Sequence, residues 1–184
     1  LLLQRLYAVV YEEADPSILL ENWNELRSLH CHYYAGVCLF HFLAASSGKN
    51  FKIALPDDNT SPPFLKISPV PIFQAVNELR SFHDGAGINA KNHIFLKNAL
   101  KILLHSHDNF HALLVCRRIG DFYCGMGKRR LAIEYYEHAR SIADNLRNSV
   151  MKEKITRQID TLPDTREDSA RIVNVLSGIS EILK

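Results

Sequence analysis

Signals for membrane insertion, secretion and redox chemistry are scarce in this sequence. No apolar run approaches the roughly 20 residues that cross a bilayer, and no signal peptide is visible, so no membrane partner is expected. The four cysteines include no Cys-x-x-Cys pair. The chain begins at Leu1 rather than Met, and we therefore expect a piece of a longer protein. The cysteines stand among apolar residues of predicted helices, which favours buried, reduced thiols in a cytoplasmic or nuclear protein: Cys31, Cys38, Cys116 and Cys124.

Catalytic and cofactor-binding motifs are also missing. The sequence has no Gly-rich phosphate loop, no His-Glu-x-x-His pair and no Gly-x-Ser-x-Gly turn. We therefore expect no cofactor and no enzyme activity, and a small-molecule ligand is disfavoured. His105, His107 and His111 cluster beside Asp108 and could supply zinc ligands. No cysteine lies near them, so exposed histidines are the favoured interpretation and no metal is predicted.

A strong net charge is absent as well. The formal net charge is +2, so composition gives no sign of nucleic-acid binding, which is disfavoured. The charge is nevertheless uneven: residues 1–25 hold one arginine and five acids, whereas residues 117–157 hold ten Lys or Arg and five acids. Solvated helix faces explain most such patterns. The alternative is a basic surface that binds an acidic partner.

The sequence does contain apolar residues that recur every three or four positions, which is the pattern of amphipathic helices. Hydrophobic residues make up 47% of the 184 positions, enough for one compact domain spanning 1–184. The predicted fold class is all-α, with stacked antiparallel helical hairpins in a right-handed solenoid or an irregular bundle. Helices are predicted at 1–12, 16–46 (one helix, or two with a break near Ser28–His30), 71–83, 91–105, two within 108–146, 150–160 and 166–183.

A proline-rich stretch interrupts the helical pattern at residues 48–71. Five of the seven prolines lie there, beside the turn-forming run from Asp57 to Ser61. Apolar residues such as Phe51 and Phe64 are too frequent for a solvated linker. We interpret the stretch as a long insertion in a helical hairpin, packed on the body at its ends. Loops of this length are often functional, and a decoration without function is equally well supported.

The stretch from Leu113 to Leu146 organises the helical pattern. Its two amphipathic helices are joined by a turn at Gly125–Lys128, and the second presents an apolar stripe from Leu131 through Tyr135 to Leu146. Small residues at Gly120 and Ala132 predict close contact between the helices. The hairpin resembles a tetratricopeptide repeat, because the following positions match that family's spacing: Ile119, Gly120, Tyr123, Gly127, Ala132, Tyr136 and Ala139, with Cys116 and Asp144 replacing the family's Trp and Pro.

This resemblance implies a protein-interaction scaffold or adaptor, or a subunit of a larger complex. Members of the family bind partners on a concave surface lined by the first helices of their hairpins. The matching positions here, with two basic residues of the adjoining turn, are Leu114, Arg117, Asp121, Cys124, Lys128 and Arg129. Asp121 stands where carboxylate-binding members have Asn, which disfavours recognition of a C-terminal carboxylate. A helix or extended peptide with acidic and apolar residues is the expected partner.

A second hypothesis concerns Arg27 and His32. An Arg followed a few residues later by His, within an all-α chain, resembles the motif of HEPN-type ribonucleases, in which the Arg holds phosphate and the His assists attack by the ribose 2′-hydroxyl. Ser28 replaces the polar Asn, Asp or His that usually follows the Arg. The apolar residues that continue the pattern favour ordinary packing instead.

Overall fold

The computed structural model describes residues 1–46, 69–84 and 92–162. These residues form α-helices and, within the described part, no strand. The all-α prediction is therefore confirmed. No helix of the described residues is long and apolar enough to cross a membrane. The helices are α1 (Leu2–Tyr11), α2 (Ile18–Ser28), α3 (His32–Ala45), α4 (Pro71–Asp84), α5 (His93–His105), α6 (Asn109–Gly125), α7 (Arg129–Asn145) and α8 (Ser149–Asp160).

Helix α3 lies at the centre because it is apolar on every side. Its sequence, HYYAGVCLFHFLAA, buries an unbroken run from Cys38 to Ala44. A helix without a polar face must be surrounded by protein. Accordingly, α3 packs against α1, α2, α4 and α6.

Helices α3 and α4 run parallel to each other, which differs from the predicted antiparallel pairing. The rings of Tyr33 and Phe73, near the two helix starts, lie 6.1 Å apart. Near the two helix ends, Nε2 of His83 lies 2.8 Å from the carbonyl oxygen of Leu43. Most of the predicted insertion at 48–71 lies outside the described residues, but Pro71 already begins α4.

Helices α6 and α7 form the closest antiparallel pair, as predicted for the central hairpin. The backbone at Gly120 lies against the ring of Tyr136: a Cβ added there would fall 2.5 and 2.6 Å from two ring carbons. The three atoms nearest to that added Cβ all belong to Tyr136, and contact of Gly120 with Ala132 stays a prediction. The buried stripe of α7 is also shifted by one residue from the predicted one, because Tyr135 is only half-buried whereas Tyr136 is fully enclosed.

Some local predictions are confirmed and others are wrong. For 16–46, the alternative of two helices with a break near Ser28–His30 is confirmed: α2 spans Ile18–Ser28, α3 begins at His32, and His30 adopts a positive φ of 58° between them. Cys38 and Cys116 are buried as expected, but Cys31 and Cys124 are exposed. The helix predicted at 166–183 lies outside the described residues.

Candidate functional site

The predicted binding residues separate into two groups. Leu114, Arg117 and Asp121 line a partly open cavity of about 340 Å³ between α1, α3 and α6. Cys124 and Lys128 are exposed at the other end of α6, where the turn to α7 begins, and Arg129 is half-buried beside them. Helix α1 of the same chain therefore lies opposite this part of the expected groove, across the cavity.

The cavity has an aliphatic part and a charged part. Val9 and Val10 of α1, Ala44 of α3 and Leu114 of α6 contribute apolar walls. The remaining wall contains two guanidinium groups, two carboxylates and one imidazole, contributed by Arg117, Arg118, Glu13, Asp121 and His41. Ligand pockets in proteins commonly span about 300–1,000 Å³ and combine apolar walls with a few converging polar groups. This cavity has that composition at the small end of the range.

Two of the polar residues in this wall are buried and incompletely hydrogen-bonded. Arg118 is 6% exposed and His41 is 5% exposed. Among the described residues, Nε of Arg118 and Nδ1 of His41 have no hydrogen-bond partner. The guanidinium of Arg118 packs 5.7 Å from the ring centre of Phe82, which supplies no acceptor oxygen. Buried donors are almost always paired in folded proteins, so two incompletely paired polar residues in one cavity wall make this cavity the candidate site.

His41 is held in its neutral form. Burial, helped by the neighbouring His111, lowers the pKa of His41 to about 3, against the opposing effect of Asp108. Asp108 caps α6 by accepting a hydrogen bond from the backbone N–H of His111, and its carboxylate also lies 2.7 Å from Nδ1 of that residue. Burial alone would raise the pKa of Asp108, but the hydrogen bonds from His111 lower it. The imidazole of His41 therefore faces the cavity without charge at neutral pH.

Both carboxylates of the cavity wall already have one partner. Asp121 accepts a hydrogen bond of 2.7 Å from the hydroxyl of Tyr136. Glu13 forms an ion pair of 2.9 Å with Lys154 of α8. Each carboxylate can accept further hydrogen bonds. The two charges therefore remain available to a cationic donor inside the cavity.

Sequence reasoning missed Arg118 and His41. The signal for Arg118 was its position three residues after Val115 and four before Phe122, which places it on a buried face of α6. The signal for His41 was its position in the middle of an apolar helix. Neither signal specifies a cavity, since the space arises from the way α1 crosses α3 and α6.

The residues of the ribonuclease hypothesis lie on two different helices. Arg27, in the last turn of α2, stacks its guanidinium 4.8 Å from the ring centre of Trp23. His32 begins α3, and its ring lies edge-on to that of His30 at 5.7 Å. Both are half-buried. Packing of Arg27 on an indole is the contact expected for a structural arginine, while the predicted absence of nuclease activity stays a prediction.

The histidine cluster provides no arrangement for a metal. In the described parts of the chain, no group of three or more His, Cys, Asp or Glu side chains could hold a metal ion. His111 turns toward Asp108 and α3, whereas His105 and His107 are exposed. The cluster in the sequence therefore separates into one helix cap and two surface side chains.

Comparisons with known proteins give no relative from which a function could be assigned. No protein-family model, curated protein or solved structure matches the chain. The likeness of the α6–α7 hairpin to a tetratricopeptide repeat accordingly remains a prediction.

Proposed function

We propose that this protein is an interaction scaffold or adaptor, or a subunit of a larger complex, that binds an acidic and apolar segment of another protein. The observation that carries the proposal is a concentration of cations at the start of α7. Lys128 occupies the N-cap position, Arg129 and Arg130 follow, and no acid stands in that first turn. Positive charge at this end of a helix opposes the macrodipole. Because these cations cost the fold stability, a role in binding is the explanation we favour.

The surroundings of this basic turn, defined as Lys128, Arg129 and Arg130, support the proposal. The side chain of Arg130 is 94% exposed, and its Nε forms an ion pair of 3.6 Å with Glu134, one helical turn along. Cys124 is exposed on the adjoining end of α6. Charged side chains in such positions attract partners of opposite charge and accelerate their association. The position of α1 opposite Leu114, Arg117 and Asp121 favours this open end over the interior of the expected groove.

The experiment has two stages. The protein is used to capture partners from native lysate, and the affinity of the purified chain for an identified partner is then measured. We expect the double variant Lys128→Glu with Arg129→Glu to bind at least tenfold more weakly and with less dependence on salt. The matched control is Lys101→Glu, an exposed lysine in the body of α5. Equal affinity of both variants and wild type would place recognition on another surface.

A further inference from the structure

We propose that the cavity between α1, α3 and α6 binds a free α-amino acid with an aliphatic side chain. This ligand class goes beyond the scaffold function and was disfavoured from the sequence alone. The three parts of such an amino acid correspond to the three kinds of side chain in the cavity wall. The carboxylate matches the guanidinium groups, the ammonium matches the acids, and the side chain matches the aliphatic surface.

The strongest observation is the buried guanidinium of Arg118. Its Nε–H points to no acceptor among the described residues, although the side chain is almost completely enclosed. An arginine donor paired with a carboxylate oxygen makes a strong, charge-assisted hydrogen bond. His41 lines the same space, and its Nδ1 also has no partner in the described structure. A carboxylate bound in the cavity would pair with the guanidinium of Arg118, and the neutral imidazole of His41 can donate to it as well.

The acids in the wall decide which anion fits. Asp121 and Glu13 line the same cavity as the two arginines. A ligand with two negative charges, such as phosphate, would be repelled by these carboxylates. A zwitterion avoids this repulsion, because its ammonium can pair with Asp121 while its carboxylate pairs with Arg118.

The aliphatic part of the cavity wall determines which ligand side chain fits. Val9, Val10 and Leu114 offer aliphatic surface beside the charged groups. A cavity of about 340 Å³ far exceeds the space of a single water molecule, which is roughly 10–15 Å³ by the same kind of measure. It lies near the lower limit for ligand pockets. An aliphatic amino acid therefore fits better than a nucleotide or a larger cofactor.

The test measures binding of L-leucine to the purified chain by calorimetry and by the shift in Tm. Two analogues separate the ligand's charges: 4-methylpentanoate lacks the ammonium, and 3-methylbutylamine lacks the carboxylate. We expect saturable binding of leucine and at least tenfold weaker binding of each analogue. Glycine, which lacks the aliphatic part, should also bind more weakly. Failure of leucine, valine and methionine to bind saturably at millimolar concentration would overturn the proposal. So would binding of 4-methylpentanoate as tight as that of leucine.

Variants connect the binding to this cavity. Arg118→Met keeps much of the side-chain volume and should abolish binding. Arg118→Met replaces a buried residue and can destabilise the fold, so Ala45→Leu provides a second test. Ala45 lines the cavity but is itself exposed, and the added bulk should block binding while the fold is retained. The control is Arg140→Met, a half-buried arginine of α7 outside the cavity wall. Undiminished leucine binding by folded Ala45→Leu would place the site elsewhere and refute the assignment.

Discussion

The neutral state of His41 makes the stability of the fold depend on pH. Its pKa is lowered to about 3 in the folded chain, whereas an unfolded histidine has a pKa of about 6.5. Below pH 6.5 the unfolded state therefore binds more protons, and the free energy of unfolding falls as the pH is lowered toward 3. Between pH 6.5 and 5 the expected loss is about 2 kcal/mol.

Urea unfolding at pH 7 and pH 5 tests this expectation. His41→Phe should reduce the loss of stability between the two pH values, because the titrating group is gone. His138→Phe, which replaces an exposed histidine on α7, should leave that loss as in wild type. An unchanged pH dependence in His41→Phe would mean that the pKa of His41 is the same in the folded and the unfolded chain.

Gly120 is required by contact rather than by backbone conformation. An added Cβ would meet the ring of Tyr136, which is buried and fixed by its hydrogen bond to Asp121. Gly120→Ala should therefore reduce the free energy of unfolding by about 1–3 kcal/mol. At Gly125 an added Cβ would meet nothing within 4 Å, so Gly125→Ala serves as the matched control. Equal melting temperatures of the two variants would contradict the close packing of α6 on α7.

At the level of single helices, the start of α7 combines poor capping with concentrated charge. The backbone of Lys128 is non-helical, as an N-cap residue requires, but its side chain makes no cap hydrogen bond. The starts of α6 and α8 do have such bonds, from Asp108 and Asn148. Lys128→Asp should supply the missing acceptor and a favourable charge, and should raise the free energy of unfolding by about 0.5–2 kcal/mol.

The same substitution should weaken partner binding, because it removes a cation from the basic turn. Chemical denaturation and an affinity measurement on one preparation separate the two effects. Lys101→Asp, in the middle of α5, cannot form a cap and should not be stabilised. A stabilised Lys128→Asp that binds its partner normally would indicate that the cations of this turn have no role in recognition.

Helix positions were largely predictable from the sequence, whereas helix directions were not. The ends of α6 have local signals: Asp108 accepts the hydrogen bond that caps its start, and Gly127, just past its end, adopts a positive φ of 68°. The parallel packing of α3 on α4 carries no such local signal. Apolar periodicity identifies a buried face but not the neighbour that covers it. For the same reason Arg117 and Asp121 could be assigned to one surface, while the position of α1 opposite that surface could not be predicted.

For the whole molecule, the uneven charge of the sequence is partly balanced within the chain. Glu13, from the acidic first part, pairs with Lys154 of the basic α8. Nearby, the side-chain amide of Asn148 donates a hydrogen bond of 2.9 Å to the hydroxyl of Tyr11. These contacts join the first helix to the last helix of the described chain. Part of the basic surface expected for an acidic partner is thus occupied by the chain's own acid.

Helix α1 should nevertheless be the least stable wall of the cavity. Only Val9 and Val10 are fully buried on α1, whereas Leu1, Leu3 and Tyr7 are exposed. Helix α6, by contrast, is buried along most of its length. Segments with few buried apolar contacts open locally without global unfolding. We therefore expect the amide protons of α1 to exchange with solvent at least tenfold faster than those of α6.

Tyr11→Phe tests whether this opening is local. The change removes the hydroxyl that accepts from Asn148, and the loss of one such hydrogen bond costs about 1 kcal/mol. Exchange in α1 should therefore become about fivefold faster while exchange in α6 and α7 is unchanged. Tyr7→Phe is the matched control, because Tyr7 is 53% exposed and its change should alter neither region. If Tyr11→Phe accelerated α1 and α7 equally, α1 would open only with the whole molecule. A ligand would then have to enter the cavity through its existing mouth rather than by displacement of α1.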